Sequence, residues 1–223
     1  MQKFATSAAV AAHFDIPAGS IRLIAADRAD ATVEVRPANP SKSRDVKAAE
    51  ETTVDYADGV LRITAPAPRN QVFGSTGAVE VTVQLPAGSH VEGKTATAEF
   101  RGVGRLGDVT YDSAHGSVKL DETAGARIGL QAGDIQVGLL GGAARITTAK
   151  GDLTVAEAVA GEVVLRTEAG DITVGAARGT SATLDAGTAY GRISNTLQNA
   201  AGSGAALNIH ATTSYGNIAA RSN

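Results

Sequence analysis

Three aspartates follow glycines at nearly constant spacing: Gly133-Asp134, Gly151-Asp152 and Gly170-Asp171. If the chain coils with that period, their carboxylates stack about 5 Å apart along one ridge, the separation of neighbouring strands. Three like charges so placed repel and need compensation. A divalent cation would supply it, because hard carboxylate oxygens suit Ca²⁺; Asp134, Asp152 and Asp171 are therefore the candidate calcium ligands. The structural alternative is that each carboxylate caps backbone N–H groups in its own turn, as Asp does in Asx-turns. That second reading is preferred. Calcium solenoids use a tighter Gly-Gly-x-Gly-x-Asp nonapeptide, which this chain lacks, and the column breaks at Arg192 and Asn217. No metal and no cofactor is expected.

Carboxylates also do glycosidic chemistry. Hydrolysis needs an acidic pair facing across a cleft, and Glu162, Glu168, Asp171 and Asp185 lie near one another in sequence. Alternation and turns scatter acids over any solvated face, so these four do not define a cleft. Tyr190 and Tyr215 each precede a turn glycine and Tyr111 lies near one, which reads as packing at corners rather than as a sugar platform. The histidines, His13, His90, His115 and His210, have no metal-ligand spacing, and His115 beside Gly116 reads as a turn residue. Ser113-Ala114-His115 forms no nucleophile elbow, and no phosphate-cradling loop is present. The chain is not expected to be an enzyme.

Two features suggest contact with a partner. Arg127 and Arg145 fall in one outward column, with Lys119 and Lys150 in turn regions, and a basic stripe of that kind meets acidic surfaces. Asp185 in the same column and a net charge of −3 argue for a mixed solvated face instead. Phe73, in the Pro- and Gly-rich segment 65–77, is a candidate hydrophobic anchor; folding back onto the sheet is the alternative.

The elements that position these residues are strands. Ile21–Ile24, Thr32–Val35, Val60–Ile63 and Ala78–Leu85 alternate and stop at Pro, Gly, Asp or Asn. Pro-Ala-Gly-Ser occurs at Pro17–Ser20 and Pro86–Ser89, and both copies read as turns. The polar stretch 39–51 allows one or two helical turns after Pro40.

From about Glu92 a repeat takes over. Gly116, Gly133, Gly151, Gly170, Gly191 and Gly216 stand at intervals of 17, 18, 19, 21 and 25 residues, a period that marks a solenoid. Aligned on these glycines, one apolar column is Val118, Ile135, Leu153, Ile172, Ile193 and Ile218. A second is Leu120, Val137, Val155, Val174, Asn195 and Ala220, and a third is Ala126, Ala144, Val163, Leu184 and Ile209. Residues two apart share a strand face, so the columns point inward and the intervening Arg127, Gln136, Arg145, Thr154 and Thr173 point out. The fold expected is all-β: a β-solenoid of about five to six two-stranded coils. Residues 1–91 form an N-terminal β module capping one end and 92–223 the solenoid, with the Gly216 coil closing the other end and segment 195–206 folding over it as a lid.

Composition bounds the function. Apolar residues at 43% and charged residues at 19% describe a folded chain, and a net charge of −3 leaves no basic field for nucleic acid or an anionic membrane. Aromatics are only 4%, so Ala, Val, Ile, Leu and Thr must fill a thin core. The absence of cysteine excludes disulfides and thiol chemistry and accords with a reducing compartment. Met1–Ala12 resembles a signal peptide in its Lys and small apolar residues, but Thr6 and Ser7 break it and it runs into His13-Phe14-Asp15-Ile16. It reads as the first strand, which makes a cytoplasmic protein the expectation and secretion the alternative.

The chain resembles a family of bacterial β-strand-repeat proteins of unknown function described as candidate adhesins. The residues that carry the resemblance are Val83-Gln84-Leu85-Pro86-Ala87-Gly88, the Gly-Asp steps and Thr213-Ser214-Tyr215-Gly216-Asn217-Ile218. It implies a β-solenoid and assigns no catalytic residue. A non-enzymatic scaffold or protein-interaction module follows, with a protein partner or self-association. Adhesin-like carbohydrate binding is the alternative, and a degenerate polysaccharide-active enzyme a third.

Overall fold

In the computed structural model, residues 1–6, 8–66 and 77–223 are described; Phe73 and the rest of 67–76 lie outside them. Strands dominate, as the alternating pattern requires, and the backbone falls into two compact units, Met1–Gly116 and Ser117–Asn223. Among the described residues no helix is long and apolar enough to cross a membrane.

The first unit contains β1 (Gln2–Ala5), β2 (Ala11–Ala26), β3 (Asp30–Pro37), helix α1 (Ser43–Glu51), β4 (Thr53–Ala57), β5 (Val60–Thr64), β6 (Val79–Pro86) and β7 (His90–His115). Parallel stacking already operates here, N-terminal to the Gly-Asp motif: β2 lies parallel to β5 and β6 on one side and to β7 on the other. Antiparallel pairs flank this ladder, β1 with β3, β3 with β6 and β4 with β5. The N-terminal residues do form a strand, Gln2 opposite Val33. Pro86–Ser89 ends β6 in a turn, with Gly88 at φ 79°. Pro17–Ser20, expected as a turn, instead lies inside β2. Gly19 bends the strand at φ 138° while pairing continues through it, and a Cβ there would strike the carbonyl of Val79. Two paired strands on either side outweigh the local turn preference. Phe14, Ile16, Ile21, Leu23, Leu61, Ile63, Val81, Val83 and Phe100 form this unit's core.

The second unit is built from β8 (Val118–Ala132), β9 (Ile135–Leu140), β10 (Ala144–Lys150), β11 (Leu153–Ala158), β12 (Gly161–Ala169), β13 (Ile172–Ala176), β14 (Ala182–Tyr190), β15 (Ile193–Thr196) and, after a turn of 3₁₀ helix at Gly202–Gly204, β16 (Leu207–Tyr215) and β17 (Ile218–Ser222). Every pairing described is parallel. One ladder puts Ala126, Ala144, Val163, Ile209 and Leu184 side by side. Another aligns Val118, Ile135, Leu153, Ile172, Ile218 and Ile193. Val118, Ile135, Leu153, Ile172 and Ile218 are all at most 1% exposed. The unit is all-β and solenoid-like, with aliphatic residues stacked in register.

The membership of each column is as expected, but the order at the C-terminal end is not. β16 and β17 insert between β12/β13 and β14/β15, so the last coil in sequence is an inner coil in space. The Gly216 coil therefore does not close the stack; β14 and β15 form its edge. The lengthened glycine intervals are the physical trace. After β13 the chain must climb past a vacant rung to reach β14, and after β15 it must descend again. Segment 195–206 makes that descent rather than serving only as a lid. It is anchored by Ala182 N–H donating to the Gln198 carbonyl at 3.0 Å and Ala201 N–H to Ser181 Oγ at 3.0 Å.

Candidate functional site

The Gly-Asp steps form a seam running from coil to coil. Asp152 N–H donates to Asp134 Oδ1 at 2.9 Å, Asp171 N–H to Asp152 Oδ1 at 2.8 Å and Asn217 N–H to Asp171 Oδ1 at 2.7 Å. Arg192 N–H then donates to Asn217 Oδ1 at 3.1 Å. The carboxylates cap backbone as expected, with one correction: each caps the turn of the next coil, not its own. Parallel in-register stacking sets each acid against the backbone of the following coil, about 4.8 Å away.

A threonine hydroxyl runs beside three steps of the seam. Thr167 Oγ1 donates to the Gly151 carbonyl, Thr213 Oγ1 to that of Gly170, both at 3.1 Å, and Thr188 Oγ1 to that of Gly216 at 3.0 Å. The glycines are dictated by the same closeness. Gly170 has φ 154°, and a Cβ on it would land on the carbonyl of Gly151. The seam thus has three parts per rung, a glycine for clearance, an acid or amide as acceptor and a threonine as donor. Asp134, Asp152 and Asp171 each spend an oxygen on backbone. Among the described residues no group of three or more His, Cys, Asp or Glu converges to hold a metal ion.

Arg127 and Arg145 are register partners and both are exposed. Their column continues through Val164 and His210 to Asp185, and His210 Nδ1 lies 3.3 Å from Asp185 Oδ2. The basic pair and the acid are thus separated along one mixed face. The opposite face carries Lys119, Gln136, Thr154, Thr173, Ala219 and Ser194 in register.

The tyrosines divide. Tyr111 is 1% exposed, stacked on Phe100 at 4.7 Å, and its hydroxyl meets Thr95 Oγ1 at 2.9 Å. Burial pushes its phenol above the ordinary range, with the hydrogen bonds from Thr95 and Ser113 acting in the opposite direction. Tyr190 and Tyr215, expected to pack at corners, are instead 68% and 61% exposed and stack on each other, ring centroids 5.0 Å apart and 3° from parallel. Parallel in-register pairing puts identical positions one rung apart, so rings in one column stack face to face rather than turning in. The pair follows from the register of β14 with β16, neighbouring strands in which each tyrosine directly precedes a turn glycine.

In the first unit, the outward residues His13, Asp15, Arg62, Glu92, Lys94 and Asp112 line an open groove of about 310 Å³. Arg62 and Lys94 stand there among Asp15, Glu92 and Asp112, and His13 Nδ1 lies 3.2 Å from Glu92 Oε2. Elsewhere Arg28 and Lys3 hold the Asp30 carboxyl below the usual range, tying β1 to β3.

Solved structures are similar to this chain. A candidate adhesin from Parabacteroides distasonis aligns with a TM-score of 0.50 at 14% identity, covering 98% of this chain and 95% of that one. A candidate adhesin from Bacteroides fragilis aligns at 0.46 and 11% identity, over 98% and 95% of the two chains. A candidate cell adhesion protein from Clostridium sporogenes aligns at 0.43 and 10%, over 100% and 98%. The chain matches no curated protein. The family model described as Toastrack DUF4097, a domain of unknown function, matches residues 13–223. With that match covering most of both units, the chain belongs to the Toastrack DUF4097 family.

Proposed function

We propose that the chain is a non-enzymatic scaffold, a β-solenoid of about five to six coils whose flat outward columns bind other proteins. The observation that carries this reading is the face Gln136, Thr154, Thr173, Ala219 and Ser194, an in-register row of small or neutral residues. Such a surface suits broad contact and offers no converging chemistry. The acids named as candidates support it: Asp171 is bonded to the next coil and Asp185 pairs with His210. Thr154→Arg with Thr173→Arg interrupts the row without touching the core. Loss of partner retention in the folded double variant is the expected result, and full retention rejects this face.

Adhesin-like carbohydrate binding is the second reading, favoured by the exposed Tyr190–Tyr215 stack and by the description of the Parabacteroides protein as a candidate adhesin. Glycan-array signals that vanish in Tyr190→Ala would select it over the scaffold.

A further inference from the structure

We infer that the edge formed by β14 and β15 is a self-association surface on which a second copy of this chain pairs antiparallel about a two-fold axis. The inference deepens the scaffold reading, on which it rests, by naming one partner as the chain itself. Among the described residues β14 pairs only with β16, and β15 only with β17. At the start of β14 the Ala182 N–H is taken by the Gln198 carbonyl; the other outward N–H and C=O groups of β14 and β15 meet no strand among the described residues, and such an edge is a template for another chain. Its side chains are open as well. All four residues of β15 are exposed, Ile193 by 47%, although Ile193 occupies the same column as the sealed Ile172 and Ile218.

Two features restrict the occupant. The edge consists of two strands of one coil, so a single extended peptide satisfies only one of them. An identical edge turned over by a two-fold axis offers both at once, the self-complementarity of isologous contacts. Head-to-tail continuation is disfavoured by the residues themselves. The seam ends at Arg192, which has no acceptor for the N–H of a following coil, and the inward column ends at Asn195 instead of an aliphatic residue. An antiparallel mate places its turns at the far ends of the strands and needs neither. Charge agrees: the centre of β15, Ser194-Asn195, is neutral, and the one carboxylate of β14, Asp185, is engaged by His210. The geometry points to a closed dimer and not a filament.

The full chain contains no cysteine, so Ser194→Cys adds a single reporting thiol at the edge. Thr154→Cys, three rungs inward in the same column, is its control. Light scattering over a concentration series should show the mass rising to twice that of one chain and stopping there. Mild oxidation should trap a covalent dimer of the Ser194→Cys chain and not of the Thr154→Cys chain. Ile193→Lys, a change at a half-exposed side chain, should keep the circular dichroism spectrum and weaken dimerisation by about tenfold or more, since an edge lysine opposes strand addition. A single-chain mass at every concentration, growth beyond two chains, equal trapping at Thr154, or an Ile193→Lys dimer as tight as the parent would each overturn the inference. A monomer that still retained partners through Thr154 and Thr173 would remove the dimer and leave the scaffold reading standing.

Discussion

Asp152 receives the Asp171 N–H and donates its own N–H to Asp134, which makes it the clearest measure of what the seam contributes. Asp152→Ala removes an acceptor from an exposed turn and should cost about 1 kcal/mol. Asp152→Asn keeps an oxygen in place and relieves repulsion between neighbouring carboxylates, as Asn217 already does two positions along the ladder. It should be neutral within about 0.5 kcal/mol. Chemical denaturation measures both. The same pair tests the calcium alternative: a resident cation would raise the parent's melting temperature on Ca²⁺ addition and lose that increment in Asp152→Asn. Tyr111 has a different signature. Its folded pKa lies above the ordinary 10.0, so its contribution to stability is fully present below that pH and lost as pH rises through the folded value. Phenolate absorbance should show one of the four tyrosines titrating last, together with loss of near-ultraviolet dichroism; four phenols titrating as a single class would refute the burial argument.

At the scale of the element, periodicity made the columns legible and said nothing about their order. Val118, Ile135, Leu153, Ile172, Ile193 and Ile218 were identifiable because each sits two residues after a turn glycine, a local regularity. Which coil neighbours which is a non-local choice between chemically similar edges, so spacing alone carried the clue, in the intervals of 21 and 25 residues. The Asp caps were legible as caps, but which N–H each receives depends on that stacking: Asp171 takes the N–H of Asn217, and Arg192 donates to Asn217 instead. Paired truncations separate the two orders. Ile218 is 1% exposed and flanked by Ile172 and Ile193, so Ile218→Ala should cost about 2–5 kcal/mol. Ile193 is 47% exposed with a neighbour on one side, so Ile193→Ala should cost less than about half as much. Equal costs, or a larger cost at Ile193, would reinstate the order of the sequence.

For the whole molecule the inversion has a consequence in assembly. A solenoid that stacks in sequence order can add each coil as it emerges, because every new coil meets a finished edge. Here residues 182–196 have no final seat until 207–222 have been made and have docked on β12 and β13. Until then two similar coils compete for one edge, that offered by Val163, Leu165, Ile172 and Val174. Asp171 discriminates weakly, since either Arg192 or Asn217 can bring an N–H to its oxygen. The inward columns discriminate more strongly: Ala220 is 2% exposed where the competing coil would bury the amide of Asn195, and an amide buried without a partner costs roughly 1–3 kcal/mol. A chain ending at Ala206 removes the competitor. Amide exchange on that truncated chain should then show β12 and β13 retaining protection only if β14 and β15 shift inward to cover them, with Asn195 newly buried and stability lower than the full chain by at least that penalty. If the truncated chain matched the full one in both stability and exchange pattern, the C-terminal coil would be an outer coil after all.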